Sequence, residues 1–98
     1  MKENSYKNLS DELIVIETQN IISEIKAFLH HDIVSERKYT QLETKVYEIS
    51  RELENRVKFL GEDDEAVSTK NIILRKVEEL NNLLQNLKKR VQTPPQPQ

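Results

Sequence analysis

The sequence predicts an all-α protein, an antiparallel up-down-up three-helix bundle in which the second and third helices are long. The 98 residues include one glycine, and all three prolines fall within the last five residues, so few breaks interrupt the chain. Charged residues make up 33% and hydrophobic residues 36%, which is typical of a lean core under a charged surface. Apolar residues recur in steps of three and four, the spacing of one face of a helix.

The first helix is expected to begin near Asn8 or Ser10, because either side chain can cap a helix N-terminus. Asp11 and Glu12 follow, where carboxylates suit the positive end of the helix dipole. The helix is expected to end around residues 30–32. The apolar positions of its buried face are Ile14, Ile21, Ile22, Ile25, Phe28 and Leu29.

The second helix is expected to be capped by Ser35 and to carry a heptad pattern, interrupted once by Arg56 with Val57 beside it. Gly61 is predicted to be the left-handed residue that ends this helix, because glycine adopts positive φ without strain. The heptad positions are Tyr39, Leu42, Val46, Ile49, Leu53, Arg56 and Leu60.

The third helix is predicted to start in the acidic run of residues 62–65, which lacks the ligand spacing of a calcium loop and suits a helix N-terminus. Residues 88–90 are all basic and fall in its last turn, the end of a helix that favours cations. Both long helices are expected to run for about 26–29 residues, or about 40 Å. The stripe of the third helix is Ala66, Lys70, Ile73, Val77, Leu80, Leu84, Leu87 and Val91.

One domain is expected over residues 9–92, after a flexible N-terminus at residues 1–8 and before a disordered Pro/Gln-rich tail at residues 93–98. The tail cannot continue a helix, and Pro94 to Pro97 has only the minimal spacing of a polyproline ligand. Because the two links between helices are short, consecutive helices should be antiparallel neighbours. A monomer is expected, and a homodimer formed through the heptad positions is the competing arrangement.

The residues with catalytic potential do not form a recognisable constellation. His30 and His31 are adjacent, so they point to different sides of a helix and cannot share a metal ion. The sequence contains no HExxH motif and no glycine-rich phosphate loop, and without cysteine it has neither thiolate chemistry nor disulfides. We therefore expect a protein that is not an enzyme and that needs no cofactor or metal.

The net charge and the hydropathy of the chain limit the kinds of partner that it is expected to bind. The net charge of −2 provides no overall basic field for nucleic acid. The longest apolar run covers only residues 13–16, so we expect no membrane partner. The N-terminus lacks the apolar stretch of a signal peptide, which predicts a cytoplasmic or nuclear location.

Four segments together form a family pattern. Residues 25–28 place an aliphatic residue before a Phe at the end of the first helix, and Asp32 precedes the pair Lys38-Tyr39 at the entry to the second. Residues 42–53 and 66–84 carry the leucine spacing and the small-then-aliphatic ladder of the next two helices. In these features the chain resembles the BAG domain, a three-helix module of chaperone cofactors, over about residues 13–87.

The resemblance implies that the second and third helices bind the ATPase domain of a 70-kDa heat-shock protein and promote release of ADP. By position, the family's acidic contacts fall at Glu43 or Thr44 and at Glu54, its arginine at Lys70 and its glutamine at Glu78. Lysine keeps the charge of arginine but lacks its planar fork, and a glutamate can only accept hydrogen bonds. The alternative function is a coiled-coil or bundle adaptor that acts through self-association or partner helices.

Overall fold

The computed structural model describes residues 6–30 and 34–92, and it confirms a bundle of three packed helices. At 22 and 25 residues, the second and third helices are the long ones, about 33 and 38 Å each. His31, Asp32 and the predicted tail lie outside the described residues. The elements in chain order are α1 Asp11–Leu29, β1 Val34–Ser35, α2 Glu36–Val57, α3 Asp64–Lys88 and β2 Val91–Gln92.

A short polar side chain caps the N-terminus of each helix. Ser10 accepts a hydrogen bond from the amide of Leu13, and Ser35 does the same for Lys38. The carboxylate of Asp63 accepts from the amide of Ala66 at 2.7 Å. Each cap satisfies a backbone donor that would otherwise lack a partner in the first turn of its helix. The caps predicted at Ser10 and Ser35 are confirmed, as is the placement of the acidic run at the start of α3.

The predicted role of Gly61 is wrong. Helix α2 ends at Val57, and the amides of the next three residues donate to carbonyls three positions earlier, which tightens the last turn. Gly61 does not have a positive φ, and no atom lies within 4 Å of the position a Cβ would take. The break between α2 and α3 therefore does not require glycine, and the Asp63 cap sets where α3 begins.

The predicted helical position of Val91 is also wrong. Helix α3 ends at Lys88, and β2 pairs in parallel with β1, with Val34 opposite Val91. The amide of Val34 donates to the carbonyl of Arg90 at 2.9 Å. Val34 is buried and Val91 packs against the core, so this small pair ties the start of α2 to the end of α3.

The core runs along the shared axis of the helices, and α3 packs against both α1 and α2. Its composition matches the predicted apolar stripes, with Lys70 half-buried at the edge. The structure adds Thr18, which is buried and whose hydroxyl donates to the carbonyl of Ile14 at 2.7 Å. The largest side chains that are almost wholly buried are Ile14, Ile22, Ile25, Leu42, Val46, Ile49, Leu80 and Leu87.

The segment before α1 packs onto the bundle. Tyr6, which the sequence places in a flexible terminus, is buried among the core side chains, and Leu9 lies against them. Burial raises the pKa of the Tyr6 phenol, and nearby carboxylates raise it further. The amide of Leu9 donates to the carbonyl of Tyr6, so the segment forms a turn that leads into the Ser10 cap.

Candidate partner-binding surface

Charged side chains on one side of the α2–α3 hairpin hold α1 in place. Glu24 of α1 accepts from Lys38 at 3.1 Å and from Lys45 at 3.2 Å, so one carboxylate joins two turns of α2. On α3, Glu79 lies 3.8 Å from Lys26 of α1. These contacts use charged residues that face α1, whereas charges on the opposite side of the hairpin remain open to a partner.

The pKa of the Glu24 carboxyl depends on its burial and on its two lysine partners. Burial favours its neutral form, but the hydrogen bonds from Lys38 and Lys45 outweigh burial and hold the pKa of Glu24 below its usual value. A lowered pKa in the folded state contributes stability above the ordinary carboxyl pKa. That stability is lost as the pH falls through the folded value.

We expect Glu24→Gln to lower the free energy of unfolding by about 1 kcal/mol at neutral pH, because both lysines lose an ionised partner. The deficit should shrink as the pH falls below the ordinary pKa of a glutamate carboxyl, because the wild-type side chain then loses the charge that both lysines bind. Urea denaturation at a series of pH values measures both effects. Glu54→Gln is the matched control, since Glu54 is exposed and its side chain forms no hydrogen bond or ion pair within the described residues. An equal loss in the two variants would contradict the role given to Glu24.

Arg56 joins α2 to the segment before α1. Its guanidinium contacts Glu52 and Asp11, each at 2.7 Å, and it also donates to three backbone carbonyls, those of Tyr6, Lys7 and Leu9. Burial opposes its charge, but the hydrogen bonds to the two carboxylates raise the pKa of Arg56 above its ordinary value. The interruption in the heptad pattern is therefore a structural anchor.

The predicted residues nearest to the contact between α2 and α3 are Glu43, Glu54 and Lys70. Glu43 and Glu54 are eleven residues apart, which places them within about 20° of each other around α2. Lys45 follows Glu43 by two residues and binds α1 from a direction about 160° away. Glu43 and Glu54 therefore lie on the side of the hairpin opposite α1.

Lys70 lies on the same side of the hairpin. Glu79, which faces α1, is nine residues after Lys70, so the two point about 180° apart around α3. Lys70 is half-buried, and Glu54 is exposed. Within residues 6–30 and 34–92, neither side chain forms a hydrogen bond or an ion pair, so both charges are available to a partner.

Thr44 and Glu78 lie further from the contact between the two helices. Thr44 is exposed, about 100° round α2 from Glu43, and its hydroxyl donates to the carbonyl of Thr40 at 3.0 Å. Glu78 is exposed about 80° round α3 from Lys70. Of the two positions offered for the first acidic contact, Glu43 is the one beside α3.

Glu43 also interacts with a core residue. The Tyr39 hydroxyl lies 3.4 Å from the Glu43 carboxylate and donates to it. Burial, and then the charge of Glu43, raise the pKa of Tyr39, so the phenol stays neutral near pH 7. Glu43 is therefore held partly in place, whereas Glu54 is free to reorient.

Apolar side chains that were not predicted from the sequence accompany these charges. Tyr47 is 60% exposed about 40° from Glu43 around α2, and Leu74 is 47% exposed about 40° from Lys70 around α3. The Tyr47 hydroxyl accepts a hydrogen bond from Arg51 at 2.9 Å. In the sequence, each of them can be recognised as an apolar residue that lies outside the apolar stripe of its helix. We call the surface formed by Glu43, Tyr47, Glu54, Lys70 and Leu74 the hairpin face.

A second surface, also absent from the sequence predictions, lies between α1 and α3 where they start. It is an apolar groove of about 400 Å³. Val15 and Ile72 form its two walls, Leu53 and Ile73 lie in it, and Phe59 stands at its end beside the α2–α3 connection. We call it the end groove.

Two further properties concern the described residues. Across residues 6–30 and 34–92, no group of three or more His, Asp and Glu side chains could hold a metal ion. None of the helices there combines the length and the apolar character needed to cross a membrane. His30 is exposed at the end of α1.

Comparisons with protein-family models, with curated proteins and with solved structures find no match to this chain. The resemblance of the residue pattern to the BAG domain is therefore a prediction that none of these comparisons supports. Architecture alone does not specify function, since bundles of this kind serve many roles.

Proposed function

We propose that the chain is a BAG-like co-chaperone module whose hairpin face binds the ATPase domain of a 70-kDa heat-shock protein and promotes release of ADP. The observation that carries the proposal is the position of Glu43, Glu54 and Lys70. All three lie on the side of the α2–α3 hairpin that α1 leaves open. These are the positions at which the residue pattern implies contacts, and the hairpin would present them together.

The composition of the hairpin face supports protein binding. Tyr47 and Leu74 supply exposed apolar area beside the charges, and interfaces characteristically combine an aromatic or aliphatic centre with a charged rim. The charged groups of Glu54 and Lys70 form no hydrogen bond or ion pair within the described residues. Lys70 supplies a point charge where arginine would supply a fork, so it should tolerate a wider range of partner geometries.

The proposed mechanism is a population shift and needs no chemistry from this chain. A module that binds the open form of a nucleotide cleft more tightly than the closed form lowers nucleotide affinity by the same factor. About 2–3 kcal/mol of differential binding would speed release by roughly two orders of magnitude if all of it appeared in that step. A rigid face suits this role, and Glu24 and Arg56 brace the hairpin from the side facing α1. The proposed location is the cytoplasm or nucleus.

The test is stopped-flow release of fluorescent ADP from the ATPase domain of a 70-kDa heat-shock protein. We expect saturating wild-type chain to accelerate release roughly a hundredfold. The double variant Glu54→Ala, Lys70→Ala should abolish binding and acceleration, because it removes both free charges from the hairpin face. Its helicity and melting temperature should stay close to wild type.

A matched control also removes one acidic and one basic side chain, but at positions outside the hairpin face. Glu62→Ala with Arg75→Ala removes one acid and one base at exposed positions outside the hairpin face, and we expect full activity. The absence of any acceleration by the wild-type chain at saturation would refute the proposal. A collapse of melting in the Glu54, Lys70 double variant would instead assign these residues a structural role.

Self-association is the second candidate, motivated by the heptad patterns of α2 and α3. In the structure, the central heptad side chains, among them Leu42, Ile49 and Leu80, are buried within a single chain. A dimer would therefore need other residues. Sedimentation distinguishes the two functions: a stable dimer would favour an adaptor, and a monomer that binds the ATPase domain would favour the co-chaperone.

A further inference from the structure

The end groove has the dimensions of a site for two turns of helix. Along α3 it is lined by residues from Thr69 to Ile73, and it continues as a narrower cleft to Lys76. Thr69 to Lys76 spans about 10 Å at the rise of an α-helix. The opposite wall follows α1 from Asp11 to Gln19. A straight channel between two parallel helices accepts a third helix laid along it.

The apolar side chains along the groove are exposed. Phe59 is 82% exposed, and Val15 and Ile72 are 60% and 59% exposed. They form one continuous surface with the buried Ile14 and Leu53 beneath them. A contiguous apolar surface with a buried floor typically marks an interaction site, whereas single exposed apolar side chains do not.

Carboxylates are concentrated at the end of the groove where α1 and α3 begin. Asp11 lines the groove in an ion pair with Arg56, and Glu12 precedes Val15 by three residues on α1. Glu65 is seven residues before Ile72, about two helical turns away on the same side of α3. Since α1 and α3 run parallel, both acidic first turns meet at this end of the bundle. The rim is therefore complementary to a basic ligand.

Other occupants fit these charges or this geometry less well. Two copies joined groove to groove would bring two acidic rims together, which like-charge repulsion opposes. The six residues after Gln92 follow the C-terminal end of α3 and reach at most about 20 Å, against the 38 Å or so of α3. Residues 1–5 offer Met1 as their one large apolar side chain.

We propose that the end groove binds an amphipathic helix of a partner protein, with the apolar face of that helix against Val15, Phe59 and Ile72 and its lysine or arginine residues beside the acidic rim. The partner would place apolar side chains at the spacing of one helix face over two turns. This site is independent of the hairpin face, so the chain would join two partners at once. The two proposals can succeed or fail separately.

The probe for the test is a fluorescein-labelled peptide about 14 residues long, made of leucine and lysine with leucines three or four apart. We expect saturable binding in fluorescence anisotropy. Ile72→Ser and Phe59→Ser should each weaken it about tenfold, because each removes apolar contact at an exposed position. Val67→Ser is the matched control on the same helix, since Val67 is 44% exposed and lies outside both the groove and the hairpin face, and it should bind like wild type.

The acidic rim has its own test. The same peptide with glutamate in place of lysine should bind at least about tenfold more weakly. Glu12→Gln with Glu65→Gln should weaken binding of the lysine peptide and reduce its dependence on salt. Asp11 is left unchanged because it contacts Arg56.

Three outcomes would overturn the proposal. One is equal binding by the Ile72→Ser and Val67→Ser variants. A second is equal binding of a lysine peptide with the same composition and scrambled leucine spacing. The third is a wild-type dimer in sedimentation that Ile72→Ser dissociates, since a second copy would then cover the groove.

Discussion

Replacing Leu80 by alanine is expected to lower the free energy of unfolding by about 3–4 kcal/mol. Leu80 is fully buried on α3, the helix that packs against both of the others. The substitution removes apolar contacts and leaves a cavity that a tightly packed core fills only in part. Since a domain of this size is stable by only about 5–15 kcal/mol, the variant should lose a large fraction of its stability.

Urea denaturation followed by far-UV circular dichroism measures this loss, and the thermal midpoint should fall by roughly 15–25 °C. Leu74→Ala on the same helix is the control. Leu74 is 47% exposed, so its truncation should cost less than about 1 kcal/mol. Equal losses in the two variants would mean that Leu80 does not occupy a packed core.

Removal of the Arg56 guanidinium has the second largest expected effect. Arg56→Met keeps the apolar stem and should destabilise the fold by about 2–4 kcal/mol. It leaves the carboxylate of Glu52, which is largely buried, without its counterion, and it deprives the carbonyls of Tyr6, Lys7 and Leu9 of a donor. Arg56→Lys should recover only part of the loss, because an ammonium cannot reproduce the five-donor fork.

A local readout distinguishes this role from general destabilisation. The segment before α1 should detach in Arg56→Met, so trypsin should cleave after Lys7 faster than in wild type under conditions where the helices remain folded. Arg51→Met is the matched control, since Arg51 is exposed and bonds to the Tyr47 hydroxyl. Unchanged stability together with unchanged cleavage after Lys7 in Arg56→Met would contradict the proposed anchor.

Features governed by neighbours in sequence were predicted well. Ser10 and Ser35 cap their helices because a short oxygen side chain reaches an amide three residues on. The apolar stripes lie in the core because residues three and four apart share one side of a helix.

The ends of α2 and α3 were predicted poorly, for different reasons. Val91 fits the α3 stripe by spacing, yet pairing with Val34 diverts it into a strand. Gly61 matched the usual signal for a helix end, but α2 had already ended at Val57. The end of α2 is a local matter, because its last turn tightens through hydrogen bonds to carbonyls three residues back, and sequence signals place helix ends only to within a few residues.

The hairpin face and the end groove also differ in how much of each could be predicted from the sequence. The resemblance offered Glu43, Glu54 and Lys70 as candidate contact residues, and helical periodicity could relate Glu43 to Glu54. That Lys70 shares their side of the bundle depends on where α1 packs. The end groove could not be predicted, because it exists only where the starts of α1 and α3 meet the α2–α3 connection.

By itself, the sequence determined a lean, charged three-helix protein, with the serine caps of the first two helices and most of the side chains that each helix buries. These follow from interactions within a few residues and from the helical period. The tertiary structure decided that Arg56 anchors Tyr6, where α3 ends, and which surfaces stay open to partners. Such features join residues as many as 57 positions apart, as in the pairing of Val34 with Val91, and no local pattern encodes the packing that brings them together.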